Sequence, residues 1–132
     1  MRVTHLAPMF IEQRPEVLEE GVLYISVSFR TTVHLCCCGC GNEVWLPIRP
    51  TRWRFTYDGE AVSLSPSVGN WSFACKSHYW IRNGRIDWAA AWSNEQIEAG
   101  RRRTRARDAE LAAAGKGKAR WWQRFRHPRR QR

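Results

Sequence analysis

The chain has 132 residues and a mass of 15.5 kDa, which suits one small domain with a short extension. Its formal net charge is +10, but 13 of the 22 basic side chains and only four of the 12 acidic ones lie in residues 94–132. The sequence has no apolar run near the ~20 residues needed to cross a bilayer, and its first residues do not resemble a secretory signal. We therefore expect a cytoplasmic protein with a nearly neutral body.

The predicted elements begin with a short helix over residues 12–20, which Gly21 would cap. Beyond it, β-branched and aromatic residues occur in short runs separated by turn residues, which is typical of strands. The predicted strands span residues 22–29, 31–36, 43–48, 53–57, 61–64, 79–82 and 85–88. Asp58-Gly59 and Asn83-Gly84 are hairpin signals. These elements predict a mostly β fold, a small antiparallel sheet domain.

The cysteines predict a metal site. Four of the five fall within five residues, and the fifth is followed three positions later by a histidine. An odd, crowded set without a secretory signal argues against disulfides. Two ligand clusters separated by about 35 residues are instead typical of structural zinc, which takes four N or S ligands. The candidate ligands are Cys36, Cys38, Cys40, Cys75 and His78.

The sequence leaves open which four of these candidates bind the metal. Zn–S bonds of ~2.3 Å require sulfurs about 3.8 Å apart, whereas residues i and i+2 of a strand are about 6.5–7 Å apart. Glycines at 39 and 41 allow the chain to turn. The preferred set is Cys38, Cys40, Cys75 and His78, with Cys36 as the main substitute and a Cys37–Cys40 knuckle as an alternative. Strand parity leaves Cys37 outside the set, and His34 is expected to support a ligand.

Two further features of the body concern its loops and its tryptophans. Residues 65–71 show no regular periodicity and are predicted to form a loop that brings Cys75 to the metal. Six tryptophans lie in residues 1–93. We expect most of them to pack in the core, with some exposed on a surface that binds a partner.

The C-terminal part is predicted to be a basic helix followed by a disordered tail. Ser93 suits a helix N-cap, and Gln96 completes a capping box. The helix is expected to reach Ala114 and to break at residues 115–118. We therefore divide the chain into a zinc-binding β domain, residues 1–93, and a basic helix and tail, residues 94–132. Its interleaved cations and aromatics favour binding to an acidic partner or to nucleic acid.

Two motifs resemble a bacterial family of small predicted metal-binding proteins. They are His34-x-Cys36-x-Cys38-Gly39-Cys40-Gly41 and, later, Ser65-Pro66-Ser67-x-Gly69-Asn70-Trp71-x-Phe73-x-Cys75-x-Ser77-His78-Tyr79-Trp80-Ile81. Members of this family are often encoded beside ubiquitin-like modifiers and their E1-, E2- or JAB-peptidase-like partners. The resemblance spans residues 21–88, and the family usually has proline where this chain has Cys37, which makes Cys37 dispensable as a ligand.

The resemblance implies a role in ubiquitin-like conjugation or a related defence pathway. The leading interpretation is a non-enzymatic, zinc-stabilised adaptor whose partner is a ubiquitin-like modifier or one of its conjugation enzymes. A thiol-dependent transferase or ligase that uses Cys36 or Cys37 is the first alternative. A nucleic-acid-binding zinc protein and a zinc hydrolase with Glu43 as its base are the others.

Overall fold

A computed structural model describes the backbone of residues 2–125 and the side chains of residues 2–114. Within this range the fold is mostly β, as predicted, with eight strands and one helix. The strands are β1 (Ala7–Phe10), β2 (Val22–Ser26), β3 (Thr31–Leu35), β4 (Glu43–Pro47), β5 (Arg54–Tyr57), β6 (Val62–Gly69), β7 (His78–Arg82) and β8 (Arg85–Trp88). The helix α1 spans Asn94–Phe125. In this part of the chain, no helix is long and apolar enough to cross a membrane.

The strands form two four-stranded sheets, ordered β1-β2-β3-β4 and β5-β6-β7-β8. All neighbours are antiparallel except β1, which runs parallel to β2. Alternate residues of each strand face inward, and the two sheets share one buried core that also contains Cys36 and Cys37. A core of this kind places the segment after β3 next to the β6–β7 hairpin.

The segment between β1 and β2 is not the predicted helix. Residues 12–20 form bends and turns. Their backbone is fastened to the sheet instead, because the N–H of Glu19 donates to the hydroxyl of Tyr24 at 2.9 Å and Leu18 packs beside that ring. A helix of nine residues is marginal in water, so these tertiary contacts outweigh local helical preference.

Residues 65–69 also differ from the prediction. The sequence predicted a loop there, whereas β6 continues to Gly69 and pairs with β7 through Val68 and Gly69. The register between β6 and β7 shifts between Leu64 and Val68. This irregular stretch contains Ser65-Pro66-Ser67, which explains why no alternating pattern was visible in the sequence.

The chain divides into two units, one ending at Ser93 and the other beginning at Asn94. In the second unit α1 runs through residues 115–118, where a break was predicted. Glycine lowers helix propensity by about 1 kcal/mol but keeps its backbone N–H, so it does not force a helix to end. Residues 126–132 of the predicted tail lie outside the described residues.

Candidate active site and metal centre

Four cysteine sulfurs converge at one end of the first unit. The Sγ atoms of Cys36, Cys38, Cys40 and Cys75 all lie within 4.8 Å of one another. Sγ of Cys36 is 3.5 Å from that of Cys38 and 3.8 Å from that of Cys75, and Sγ of Cys40 is also 3.8 Å from that of Cys75. Tetrahedral Zn–S bonds require about this spacing. Four thiolates at these distances could hold one metal ion of the zinc or iron type.

Cys36 and Cys38 come together because β3 ends earlier than predicted. The strand stops at Leu35, and the N–H of Gly39 donates to the carbonyl of Cys36 at 3.0 Å, which closes a turn. Gly39 and Gly41 have φ angles of 89° and 84°, which only glycine adopts at little cost. The objection that residues i and i+2 diverge on a strand therefore does not apply to this pair.

Polar groups surround the sulfurs. The side-chain amide of Asn42 donates to Sγ of Cys40 at 3.3 Å, and the hydroxyl of Ser77 lies 3.0 Å from Sγ of Cys36. Burial alone would raise the pKa of the Cys40 thiol, but hydrogen bonds from the Asn42 backbone and from neighbouring thiols lower this pKa to about 7. Such contacts favour the thiolate, the form that binds metal.

Cys37 lies outside the sulfur cluster. Its side chain is fully buried in the shared core, and burial raises its pKa to about 12. Its carbonyl accepts the N–H of Val3 at 2.7 Å, which fastens the N-terminal segment to the turn. These contacts give Cys37 a packing role and leave its thiol protonated at neutral pH.

His78 is not part of the sulfur cluster, although the sequence placed it among the candidate ligands. Its Nε2 lies 2.8 Å from the Oγ of Ser67, and its Nδ1 lies 2.7 Å from the carbonyl oxygen of Ala90. Successive side chains of an extended segment point to opposite sides. Because Ser77 points toward Cys36, the next residue points away from the cysteines. Cys36 occupies the place in the cluster that the preferred ligand set had given to His78.

The two hydrogen bonds fix the proton positions on the His78 ring. A backbone carbonyl can only accept, so Nδ1 carries the proton that is donated to Ala90. In the neutral ring Nε2 is then unprotonated, and it accepts the hydroxyl proton of Ser67. The Ser67 hydroxyl thus donates to one nitrogen of His78, and the other nitrogen donates to the Ala90 carbonyl. Serine hydrolases arrange their nucleophile, base and orienting group in this way.

Ser67 is half-buried, whereas Ser65, two residues earlier in β6, is exposed. The sequence placed Ser67 in the second motif but gave it no catalytic role, because residues 65–71 carried no periodic signal and His78 had been assigned to the metal. The signal that could have indicated this pair was the antiparallel pairing of the two strands that carry Ser67 and His78. Ser67 and His78 lie 11 residues apart on β6 and β7, and antiparallel neighbours bring such positions together.

A buried polar network adjoins the sulfur cluster through Ser77. Nε2 of His34 is 2.7 Å from the hydroxyl of Tyr79, and the amide of Asn70 donates to the Ser77 hydroxyl at 2.8 Å. Burial lowers the pKa of His34 to about 3, so this ring is neutral. The same burial raises the pKa of Tyr79. His34, which was expected to support a ligand, thus contacts Tyr79, and its ring forms no hydrogen bond to a cysteine of the described residues.

Residues 10–89, more than half of the chain, match the model of a family described as bacterial ubiquitination-like system serine protease (BubE). The chain belongs to the BubE family. Membership links it to a bacterial ubiquitin-like system, as the resemblance implied. Neither the curated proteins nor the solved structures contain a match.

The part that matches the BubE model includes both candidate sites. Ser67, His78 and the four clustered cysteines lie inside residues 10–89. The match ends at Ala89, one residue before Ala90, whose carbonyl contacts His78, and before α1 begins. The basic helix is therefore outside the region that defines membership.

Proposed function

We propose that this protein is a serine protease that acts on a ubiquitin-like modifier, with Ser67 as nucleophile and His78 as general base. The observation that carries the proposal is the geometry at His78, where Nε2 is 2.8 Å from Ser67 Oγ and Nδ1 is 2.7 Å from the Ala90 carbonyl. Both distances are within the range that proton transfer requires. Membership in the BubE family supports the same chemistry and the same kind of substrate.

The reaction follows from the proton positions. Ser67 Oγ attacks the carbonyl carbon of a peptide or isopeptide bond while its proton passes to His78 Nε2. The resulting imidazolium donates that proton to the departing amine, and the acyl group stays on Ser67. Water then loses a proton to Nε2 and attacks the ester, which releases the carboxylic acid and restores the Ser67 hydroxyl. Throughout, the Ala90 carbonyl holds the Nδ1 proton and keeps the ring oriented.

We assign the four-cysteine cluster a structural role, with zinc as the expected metal. All four donors are cysteine sulfurs and no acidic side chain belongs to the described cluster, which suits a closed structural site better than a catalytic one. Glu43, the base considered for a zinc hydrolase, forms an ion pair with Arg14. The metal would fasten the turn after β3 to the β6–β7 loop.

The other sequence-based functions differ in how well the geometry supports them. A thiol-dependent transferase needs an accessible thiol, but Cys36 and Cys37 are both fully buried. A binding or adaptor role in the same system remains the second candidate, since half-exposed Trp45 and exposed Phe29 leave apolar surface available on the first sheet. That role would not need the Ser67 hydroxyl.

The proposal is tested with a fluorophosphonate probe and with a ubiquitin-like modifier of the same bacterium fused to a C-terminal reporter. We expect the probe to add once, at Ser67, and the fusion to be cleaved. Ser67→Ala should abolish both reactions. Ser65→Ala is the matched control on the same strand and should retain both. If Ser67→Ala keeps cleaving the fusion, or if the wild-type protein reacts with neither substrate, the protease assignment is refuted and the adaptor role is favoured.

The basic helix supports a separate binding role. Five arginines lie within seven residues of α1 and are exposed, at positions 101, 102, 103, 105 and 107. Side chains of this type bind polyanions by charge and release counterions. We infer that the helix contacts an acidic surface, either of a protein partner or of nucleic acid, while the chemistry resides in residues 1–93.

A further inference from the structure

Two tryptophans enclose the imidazole of His78. The ring centroid of Trp71 lies 4.9 Å from that of His78, and the centroid of Trp92 lies 5.2 Å from it. Both indoles are steeply inclined to the imidazole, at 64° and 73°. They also stack on each other, with centroids 5.4 Å apart and planes 20° apart. The three rings form one cluster that leaves His78 only 7% exposed.

The two tryptophans come from different parts of the chain. Trp71 lies in the β6–β7 loop, two residues after the end of the strand that carries Ser67. Trp92 lies in the segment after β8, and this segment also holds His78 through its backbone. The N–H of Ala89 donates to the His78 carbonyl at 2.9 Å, and the Ala90 carbonyl accepts from Nδ1. The indole stack therefore joins the loop beside the nucleophile to the segment that orients the base.

Gly69 makes room for one of these rings. A Cβ atom at this position would lie 2.5 Å from Cε2 and Nε1 of Trp71 and 2.7 Å from its Cζ2. Real Cβ contacts are not this short, so an alanine would displace the indole. The φ angle of Gly69 lies outside the left-handed region, so the backbone itself would accept alanine. The absence of a side chain at residue 69 thus serves the placement of Trp71.

We propose that Trp71 and Trp92 are positioning residues for His78, and that Gly69 admits the Trp71 indole to this arrangement. The proposal rests on the proposed protease function. The two hydrogen bonds of His78 lie in the plane of its ring and do not by themselves resist tilting of that plane. Indoles packed against the ring resist the tilt and exclude water that would compete for Nε2.

The expected loss of labelling rate follows from how strictly proton transfer depends on the alignment of His78 with Ser67. A misplacement of about 1 Å can lower a rate by about 100-fold. We expect Trp71→Ala and Trp92→Ala to lower the maximal rate of reaction of Ser67 with a fluorophosphonate by about 10- to 100-fold. The concentration of probe at half-maximal rate should change little, because the tryptophans act on the base and not on the probe.

The experiment measures the maximal labelling rate and the half-saturating probe concentration for each full-length variant, together with its thermal melt. Trp71→Phe and Trp92→Phe keep an aromatic ring and should recover most of the rate. Gly69→Ala should lower the rate as Trp71→Ala does, although it changes no aromatic residue. Trp80→Ala removes a half-buried tryptophan of β7 whose ring packs against the guanidinium of Arg82 at 4.5 Å, and it is the matched control.

A spectroscopic readout covers variants whose stability also falls. In wild-type protein labelled with 15N on histidine, the His78 ring should be a single tautomer with its proton on Nδ1, and the Gly69→Ala and Trp92→Ala proteins should give a mixture. The positioning role is refuted if wild-type protein is labelled at Ser67 but the alanine variants keep its rate and its tautomer. Failure of wild-type protein to be labelled at all would refute the protease assignment instead.

Discussion

Core packing and metal ligation predict opposite orders of stability for the variants Cys37→Ala and Cys40→Ala. Cys37 is fully buried and lies outside the sulfur cluster, whereas Cys40 is exposed and lies inside it. If only packing mattered, Cys37→Ala would cost about 1–2 kcal/mol of unfolding free energy through the lost buried atom and its cavity. Cys40→Ala, as a surface change, would cost no more than about 0.5 kcal/mol.

Metal ligation reverses this order. A structural zinc ion contributes ~10–16 kcal/mol of apparent binding free energy in small domains, which is as large as the stability of about 5–15 kcal/mol typical of a whole protein. Loss of one of four ligands removes a large part of that contribution. We therefore expect Cys40→Ala to lose the metal and to melt well below wild-type protein, while Cys37→Ala keeps one ion per chain and is destabilised only modestly.

The assay is elemental analysis of purified protein combined with thermal melts before and after chelation. Chelated wild-type protein should resemble Cys40→Ala, and it should also lose fluorophosphonate labelling, because Cys75 lies three residues before His78. The reasoning is refuted if Cys37→Ala is the less stable of the two variants, or if Cys40→Ala retains stoichiometric metal and the wild-type melt.

Three further predictions concern single features of the molecule. His78→Ala should lower the labelling rate of Ser67 by about 100- to 10,000-fold, the usual contribution of a general base, and an unchanged rate would show that His78 is not the base. Tyr79→Phe should cost about 1–3 kcal/mol in chemical denaturation, because it leaves Nε2 of buried His34 without its partner; equal stability would contradict this network. A protein truncated after Ser93 should keep its labelling at Ser67 but lose binding to a single-stranded oligonucleotide. In the full chain, this binding should weaken steeply as salt is added. Binding that does not depend on salt would contradict the assignment of this role to the basic helix.

Local signals in the sequence were sufficient for the hairpins and for the cysteine cluster. Asn83-Gly84 joins β7 to β8 with φ angles of 50° and 76°, so both turn residues adopt the left-handed conformation that this dipeptide favours. The cysteine spacing likewise included all four clustered donors among its five candidates, although the preferred four had His78 in the place of Cys36. In both cases the chemistry of a few adjacent residues limits the backbone directly.

The Ser67–His78 pair could not be predicted in the same way. It depends on the register of β6 against β7, which includes a shift between Leu64 and Val68. It also depends on the Ala90 carbonyl, a backbone group that any residue at that position would supply. The predicted helix over residues 12–20 failed for a related reason, since its backbone is held by a tyrosine in a distant strand.

The four-cysteine site and the proposed catalytic pair are joined by the β6–β7 hairpin, which carries Cys75 as well as Ser67 and His78. The backbone N–H of Asn70 donates to the Ser77 carbonyl at 2.8 Å, and the Ser77 hydroxyl lies 3.0 Å from Sγ of Cys36. A metal bound by Cys36 and Cys75 would therefore fasten the loop that connects β6, which carries Ser67, to β7, which carries His78. A fixed loop keeps the register of these strands, and the register sets the distance between nucleophile and base. For this reason, changes to the four clustered cysteines should impair fold and chemistry together, whereas changes to Ser67 should abolish the chemistry alone.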